Sequence, residues 1–303
     1  MVTNKPRVTI GVCVRNSART IRETIESIVG QDFPHELMEV IFVDDGSEDE
    51  TFSIIKEYAQ KIDMQVKILR HNWRGLGYSR NRVIENAEGD YIIWIDGDMV
   101  VRRDFVRRQV DFMEKNQKVA IAKGFPEIAS GKNLISDLEN IGLVTHSYLN
   151  RGVSTSKALG AGGSIYRVRV LREIGGFDVN MSGAGEDIDV EERIRKAGWI
   201  TYLGVPALFF ERPKDSLLSV WREGVWYGYG DYHVFIKNRK IFSLYRMNPI
   251  ASLLAGALCI PVAYKLTHRK IVFLMPLLSV FKNIAWCFGF LKNQLLHALR
   301  SPK

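Results

Sequence analysis

The chain has 303 residues, 46% hydrophobic and 25% charged, which excludes a disordered polymer and is enough for one large or two small domains. Three scattered cysteines (Cys13, Cys259 and Cys287) exclude a disulfide framework and a cysteine zinc site. The net charge of +8 is local: eight of the 42 Lys and Arg, and none of the 34 Asp and Glu, lie in residues 246–303, so residues 1–245 are formally neutral. Positive charge beside apolar segments points to an anionic membrane surface and away from a nucleic-acid groove.

Val8–Val14 is an apolar run, the pattern of a buried strand. Ile21, Ile25, Ile28 and Val29 recur at helical spacing within 20–29. A second strand is predicted over 37–43, ending on Asp44-Asp45-Gly46-Ser47. A helix over 51–62, a strand over 66–69, a helix over 79–87 and a strand over 91–95 follow, the last ending on Asp96. This alternation, from residue 8 to about 122, predicts βαβ units and a mostly parallel sheet. Ligands of such sheets bind beyond the carboxyl ends of the strands, so both acidic clusters are expected at one edge.

The next stretch, 123–163, is less regular and closes on a glycine-rich loop at 154–163. A helix over 168–174 stops at Gly175-Gly176, and 187–197 is a polar helix. Residues 216–235 are aromatic and mixed. From 247 two apolar blocks, 248–264 and 271–291, are parted by the basic stretch 265–270. The expected division is a catalytic domain, 1–245, and a basic, apolar, helical, membrane-associating region, 246–303. No signal peptide is visible before the first strand, so a cytoplasmic catalytic face is expected.

Four motifs carry chemistry. Asp96-Gly97-Asp98 offers two carboxylates to one hard divalent cation, with Gly97 permitting a sharp turn. Such a cation, Mg²⁺ or Mn²⁺, neutralises charge on a leaving diphosphate. Asp44-Asp45 can accept hydrogen bonds from a base or a ribose, or simply close an Asx turn. In the run from Arg74 to Asn81, two glycines precede a helix whose N-terminus attracts a diphosphate, and Arg80 can bind one through paired donors. In Gly183-Ala-Gly185-Glu186-Asp187-Ile-Asp189 a carboxylate at a helix start can take a proton from a hydroxyl, or can merely favour the helix dipole.

The order of these motifs, with Asn16 after the first strand and Gly175-Gly176-Phe177-Asp178 before the last, resembles the family 2 glycosyltransferases over residues 7 to about 235. The resemblance implies an α/β, Rossmann-like nucleotide-diphospho-sugar transferase fold of GT-A type, with a mixed, mostly parallel sheet and C-terminal apolar helices. It implies an inverting enzyme using Mn²⁺ or Mg²⁺. By position, Asp45 is similar to the base-contacting carboxylate, with Asp44 beside it, and Asn16 and Arg80 fall near the donor. Asp96 is similar to the ribose- and metal-side acid, Asp98 to the principal metal ligand and Asp187 to the general base. Gly162, Gly163 and Glu186 fall on the acceptor side, and Arg222 lies in the segment that closes over the diphosphate. The chain departs from the family at Cys13, where Pro is frequent, and at Arg15, where an aromatic is frequent. It also has Phe210-Glu211 where a His is common, which makes Glu211 the candidate third oxygen ligand.

If Asp187 is the base, the acceptor is expected to be a hydroxyl, on a glycan or a lipid-linked glycan. A polyprenyl-phosphate acceptor, already anionic, has little need of a base. That synthase and a non-catalytic nucleotide-sugar-binding subunit are the alternatives. The two apolar blocks are short and interrupted by Pro261 and Pro276, and a spanning hairpin would place Lys265–Lys270 on the outside. An interfacial, re-entrant or short hairpin on the cytoplasmic face is therefore expected.

Overall fold

A computed structural model describes residues 5–154, 158–181, 184–239 and 247–300. Its elements run β1 (Val8–Val14), α1 (Ile21–Val29), β2 (Met38–Asp45), α2 (Thr51–Ala59), β3 (Gln65–His71), α3 (Leu76–Asn86) and β4 (Tyr91–Trp94). Then come β5 (Met99–Val101), α4 (Phe105–Lys115), β6 (Val119–Pro126), α5 (Leu134–Leu149), β7 (Gly152–Ser154), β8 (Ser164–Arg167), α6 (Val168–Glu173), α7 (Glu186–Lys196) and β9 (Ile200–Glu211). The helices α8 (Leu217–Lys237), α9 (Pro249–Thr267) and α10 (Met275–Arg300) complete the order.

Every residue of β1 is buried, and its side chains alternate between two cores. Val8, Ile10, Val12 and Val14 pack with Ile21, Ile25, Ile28 and Phe42, whereas Cys13 faces Ile41, Val43, Val83 and Trp94. A strand covered on both faces is what an unbroken apolar run encodes. Strands β3, β2, β1 and β4 pair in parallel, with Val8 opposite both Met38 and Tyr91. β8 then enters antiparallel between β4 and β6, and β6 pairs in parallel with β9. The short strands β5 and β7 lie antiparallel to β9. The sheet is thus mixed, and its four-stranded parallel part carries the expected βαβ alternation.

The chain forms two compact units. One, built from Met1–Glu127, Asn150–Asn180 and Glu186–Arg212, holds the whole sheet with α1–α4, α6 and α7. The other, from Ile128–Leu149, Met181–Gly185 and Pro213–Lys303, holds α5 and α8–α10. The boundary expected at 245/246 falls among 240–246, outside the described residues, as do Gly183 and residues 155–157 of the glycine-rich loop.

The helical unit has its own core, in which Leu138 and Ile141 of α5 meet Val220, Ala263, Val272, Met275 and Leu278. Its basic residues are partly engaged. Arg269 donates to both Asp137 oxygens at 2.9 and 2.6 Å, and Lys282 to both Glu139 oxygens at 3.0 and 2.9 Å. Arg269 is therefore not a free charge of the 265–270 stretch, because α5 supplies acids that residues 246–303 lack. Pro249–Thr267 and Lys270–Leu299 are long and apolar enough to cross a membrane, and 11% and 33% of their most apolar windows are buried.

Candidate active site at the carboxyl edge of the sheet

At the end of β2 the two acids are tied into the backbone. Asp45, 6% exposed, accepts hydrogen bonds from the amides of Arg74 at 2.7 Å and Gly75 at 3.0 Å, with His71 Nδ1 at 3.2 Å. These amides stand at the start of α3, which begins at Leu76 and not near 79. The Ser79 amide bonds back to the Gly75 carbonyl at 3.2 Å, so Ser79 lies inside the first turn. Asp45 thus takes the two amides that immediately precede α3, where the positive end of the helix dipole favours a carboxylate. Asp44, fully buried, accepts from the Ser47 amide at 2.9 Å, and its Oδ2 has no hydrogen-bond partner among the described residues. Asn16 joins the same turn, its amide N–H donating to Ser47 Oγ at 3.0 Å and its Oδ1 accepting from the Glu48 amide at 2.9 Å.

At the end of β4 the environment differs. The Asp96 side chain is 40% exposed, and Arg80 Nη2 stands 3.9 Å from its Oδ1. On its other side lies Gly162, where a Cβ would overlap the Asp96 carboxylate. Gly163 is engaged inside the fold: its φ is +76°, its amide donates to the Trp94 carbonyl at 2.9 Å, and a Cβ there would stand 2.7 Å from Phe209. Asp98 immediately precedes β5 and lies next to the end of β9, since Met99 pairs with Glu211 and the Arg212 amide donates to the Asp98 carbonyl at 3.1 Å. The carboxylates of Asp96, Asp98 and Glu211 are hard oxygen donors, and the bare glycine at 162 keeps the Asp96 carboxylate from being displaced by a side chain, so the chemistry of the donor set fits Mn²⁺ or Mg²⁺. Among the described residues no three His, Cys, Asp or Glu side chains already converge as a metal centre.

Arg80 is 3% exposed and donates to the Glu186 carboxylate, with Trp94 and Phe177 rings 5.8 and 5.4 Å from its guanidinium. Burial opposes its charge, but Glu186, Asp96 and Asp187 hold its pKa above the ordinary value. Arg80 therefore stands between Asp96, which follows β4, and the acid that opens α7, with its guanidinium engaged by Glu186. Burial pushes the Glu186 carboxyl up to about 7 against the pull of Arg80. The neighbouring Asn81 side chain exchanges two hydrogen bonds of 2.8 Å with the Phe177 backbone, locking the Ser79-Arg80-Asn81 and Gly176-Phe177 motifs together.

Asp187 follows on the first turn of α7. Its Oδ2 accepts from the Ala161 amide at 3.3 Å and its Oδ1 from the Ile188 amide at 2.8 Å. The loop 159–163 thus has Asp187 at Ala161 and Asp96 at Gly162. Arg222 is exposed on α8 of the helical unit. In that unit Trp221 packs against Phe281 and Phe288, with ring centroids 5.6 and 6.0 Å away. The sequence reading missed Lys123, whose Nζ donates to the Leu159 carbonyl at 2.7 Å, and Glu191, which accepts two amides of the same loop. The i,i+4 spacing of Asp187 and Glu191 was the available signal for the second.

A profile of the family described as "Glycosyl transferase family 2" matches residues 9–175. A poly-beta-1,6-N-acetyl-D-glucosamine synthase of Staphylococcus epidermidis is 23% identical over 227 residues, covering 74% of this chain and 54% of that protein. The chain therefore spans about half the length of that relative. The fold is similar to that of the mannosyltransferase PcManGT of Pyrobaculum calidifontis, solved with GDP-Man and Mn2+: TM-score 0.69 and 19% identity, over 95% of this chain and 88% of that one. It is also similar to Staphylococcus aureus TarS 1-349 solved with UDP-GlcNAc: TM-score 0.53 and 16% identity, over 98% and 93% of the two chains.

Proposed function

Because the chain belongs to glycosyl transferase family 2, we propose that it moves a sugar from a nucleotide-diphosphate donor to an acceptor hydroxyl by direct, inverting displacement at the anomeric carbon. The observation that carries this reading is the loop 159–163. Asp187 meets it at Ala161 and Asp96 meets it at Gly162, although the two acids are far apart in sequence. A proton-accepting carboxylate and a donor-side carboxylate therefore flank one short segment.

Asp98 and Asp96, with Glu211 alongside, would hold a Mn²⁺ or Mg²⁺. Such an ion neutralises charge on the leaving diphosphate. Asp187 takes the proton of the acceptor hydroxyl as the new glycosidic bond forms, and the nucleoside diphosphate leaves from the opposite face of the sugar. Arg80 holds Glu186 in place beside Asp187 and faces Asp96 with its second nitrogen. The Asp44-Asp45 turn forms the base-side wall, with Asn16 closing it. The acceptor is a glycan or a lipid-linked glycan, and the apolar helices α9 and α10 favour one held at a membrane, reached from the cytoplasmic face.

The test offers UDP-GlcNAc and GDP-mannose with Mn²⁺. One of them raises the melting temperature by mass action. Asp187→Asn keeps that shift and loses about 10²–10⁴-fold in transfer, the usual contribution of a positioned base. Retention of most transfer by Asp187→Asn, with product on a polyprenyl phosphate, would overturn the hydroxyl acceptor in favour of the lipid-phosphate reaction. Binding of a donor without hydrolysis or transfer would overturn catalysis.

A further inference from the structure

We propose that Glu191 is a positioning residue: it fastens the loop 159–163 to α7 and so fixes the two carboxylates, Asp187 and Asp96, that flank this loop. The proposal rests on the glycosyl-transfer reading above for the roles of those two acids. The clamp itself rests on geometry alone.

Glu191 is fully buried. Its Oε2 accepts the Leu159 amide at 2.8 Å and its Oε1 accepts the Gly160 amide at 2.9 Å. One carboxylate thus holds two consecutive amides, and the third, Ala161, donates to Asp187 at 3.3 Å. Asp187 and Glu191 are four residues apart on α7, hence on one face of the helix. Three successive N–H groups of the loop are therefore aimed at two acids of a single helix face.

The other side of the loop is held as firmly. Lys123 Nζ donates to the Leu159 carbonyl at 2.7 Å, Ser164 Oγ to the Gly160 carbonyl at 2.7 Å, and the Gly163 amide to the Trp94 carbonyl at 2.9 Å. Gly160 takes φ +78°, which lets its amide point back towards α7. What Glu191 adds is registration. If the loop slips off α7, Ala161 leaves Asp187 and Gly162 leaves Asp96 together.

A carboxylate is costly in such a place. Burial and the nearby Asp187 raise its pKa to about 7, although the two amides and Arg195, 3.4 Å away, pull the other way. A residue needed for packing alone would be better apolar. A carboxylate, by contrast, offers two acceptor oxygens and no donor when ionised, which matches two adjacent amides. Gln has nearly the same shape but would set an NH₂ against one of them.

The experiment uses the full chain carrying Glu191→Gln and three measurements. Amide exchange in 158–164 is expected to quicken about tenfold while exchange elsewhere holds. Turnover of UDP-GlcNAc with Mn²⁺, or of GDP-mannose where the wild type prefers it, is expected to fall about tenfold or more, as small misplacements of reacting groups do. The Kd for the matching nucleoside diphosphate stays within about twofold. Unchanged exchange in the loop overturns the clamp. A Kd that weakens as much as turnover falls overturns the positioning role, since general damage does that. If Glu191→Gln does not fold, Glu191→Asp, which keeps the charge on a shorter arm, is judged by the same outcomes. A wild type that turns over neither donor refutes the functional reading, and with it the positioning role, while the exchange result still decides the clamp.

Discussion

Two acidic strand ends share one edge of the sheet and have opposite surroundings. After β2, Asp45 is met by two backbone amides and Asp44 by a third, and the Asn16 side chain closes the turn. After β4, the Asp96 carboxylate is 40% exposed, with a guanidinium 3.9 Å to one side and a glycine on the other. The residue type is the same and the sheet position is equivalent. What differs is the donors nearby. A strand-end acid met by backbone amides holds the chain, whereas one set between a glycine and a partly shared arginine keeps part of its carboxylate exposed.

The largest effect that tests this contrast is on the β4 side. Asp98→Asn is expected to lower transfer about 10³-fold, since a bound cation supplies several kcal/mol of charge stabilisation. The melting temperature of the protein without nucleotide should change by no more than about 2 °C, within the ordinary range for partly exposed positions. Chelation of the wild type with EDTA should cost a similar factor in steady-state assays, and added Mn²⁺ should restore the wild type but not the variant. Full activity in Asp98→Asn would place the cation elsewhere and remove the contrast.

The second effect is on the β2 side and is read as stability. Asp45→Ala leaves the amides of Arg74 and Gly75 without their acceptor. Both donors are only partly buried, so water takes up part of the loss and the pair together costs about 1–3 kcal/mol. For a chain of this size that corresponds to a fall of roughly 2–6 °C in melting temperature. A variant that melts with the wild type and loses only nucleotide affinity would make Asp45 a ligand first and a structural acid second, so that the two strand ends become alike.

How much of this was legible in the sequence follows the same division. The strands β1–β4 and both acidic ends were readable, because a short apolar run followed by Asp-Asp-Gly or Asp-Gly-Asp carries its own boundaries, whereas β5–β9 carried no such signal. The start of α3 was not, since Gly75 and Gly77 look like loop residues until Asp45 is seen capping the amides at 74 and 75. The burial of Arg80, which the sequence did single out, and the role of Glu191 were hidden for another reason. A charged residue on a helix reads as solvent-facing, and only the fold shows that each has a buried counterpart. The apolar tail read as two marginal membrane blocks, but its partner α5, which supplies Asp137 and Glu139, lies more than a hundred residues earlier. Pairings across such distances leave no local periodicity to detect.

The smallest effect divides two adjacent glycines. In Gly162→Ala the new Cβ presses on the Asp96 carboxylate, which is half-exposed and can swing aside. Transfer should therefore fall about tenfold, the consequence of a slight misplacement, with the melting temperature nearly kept. In Gly163→Ala the new Cβ meets the Phe209 ring at 2.7 Å and the backbone must hold φ +76°. The left-handed conformation alone costs a non-glycine residue about 1–2 kcal/mol, so this variant should melt several degrees lower. Turnover per folded molecule would then be the discriminating number. If Gly162→Ala melts early and Gly163→Ala does not, the loop faces the site by its second glycine, and the Asp96 side of the comparison must be redrawn around Phe209.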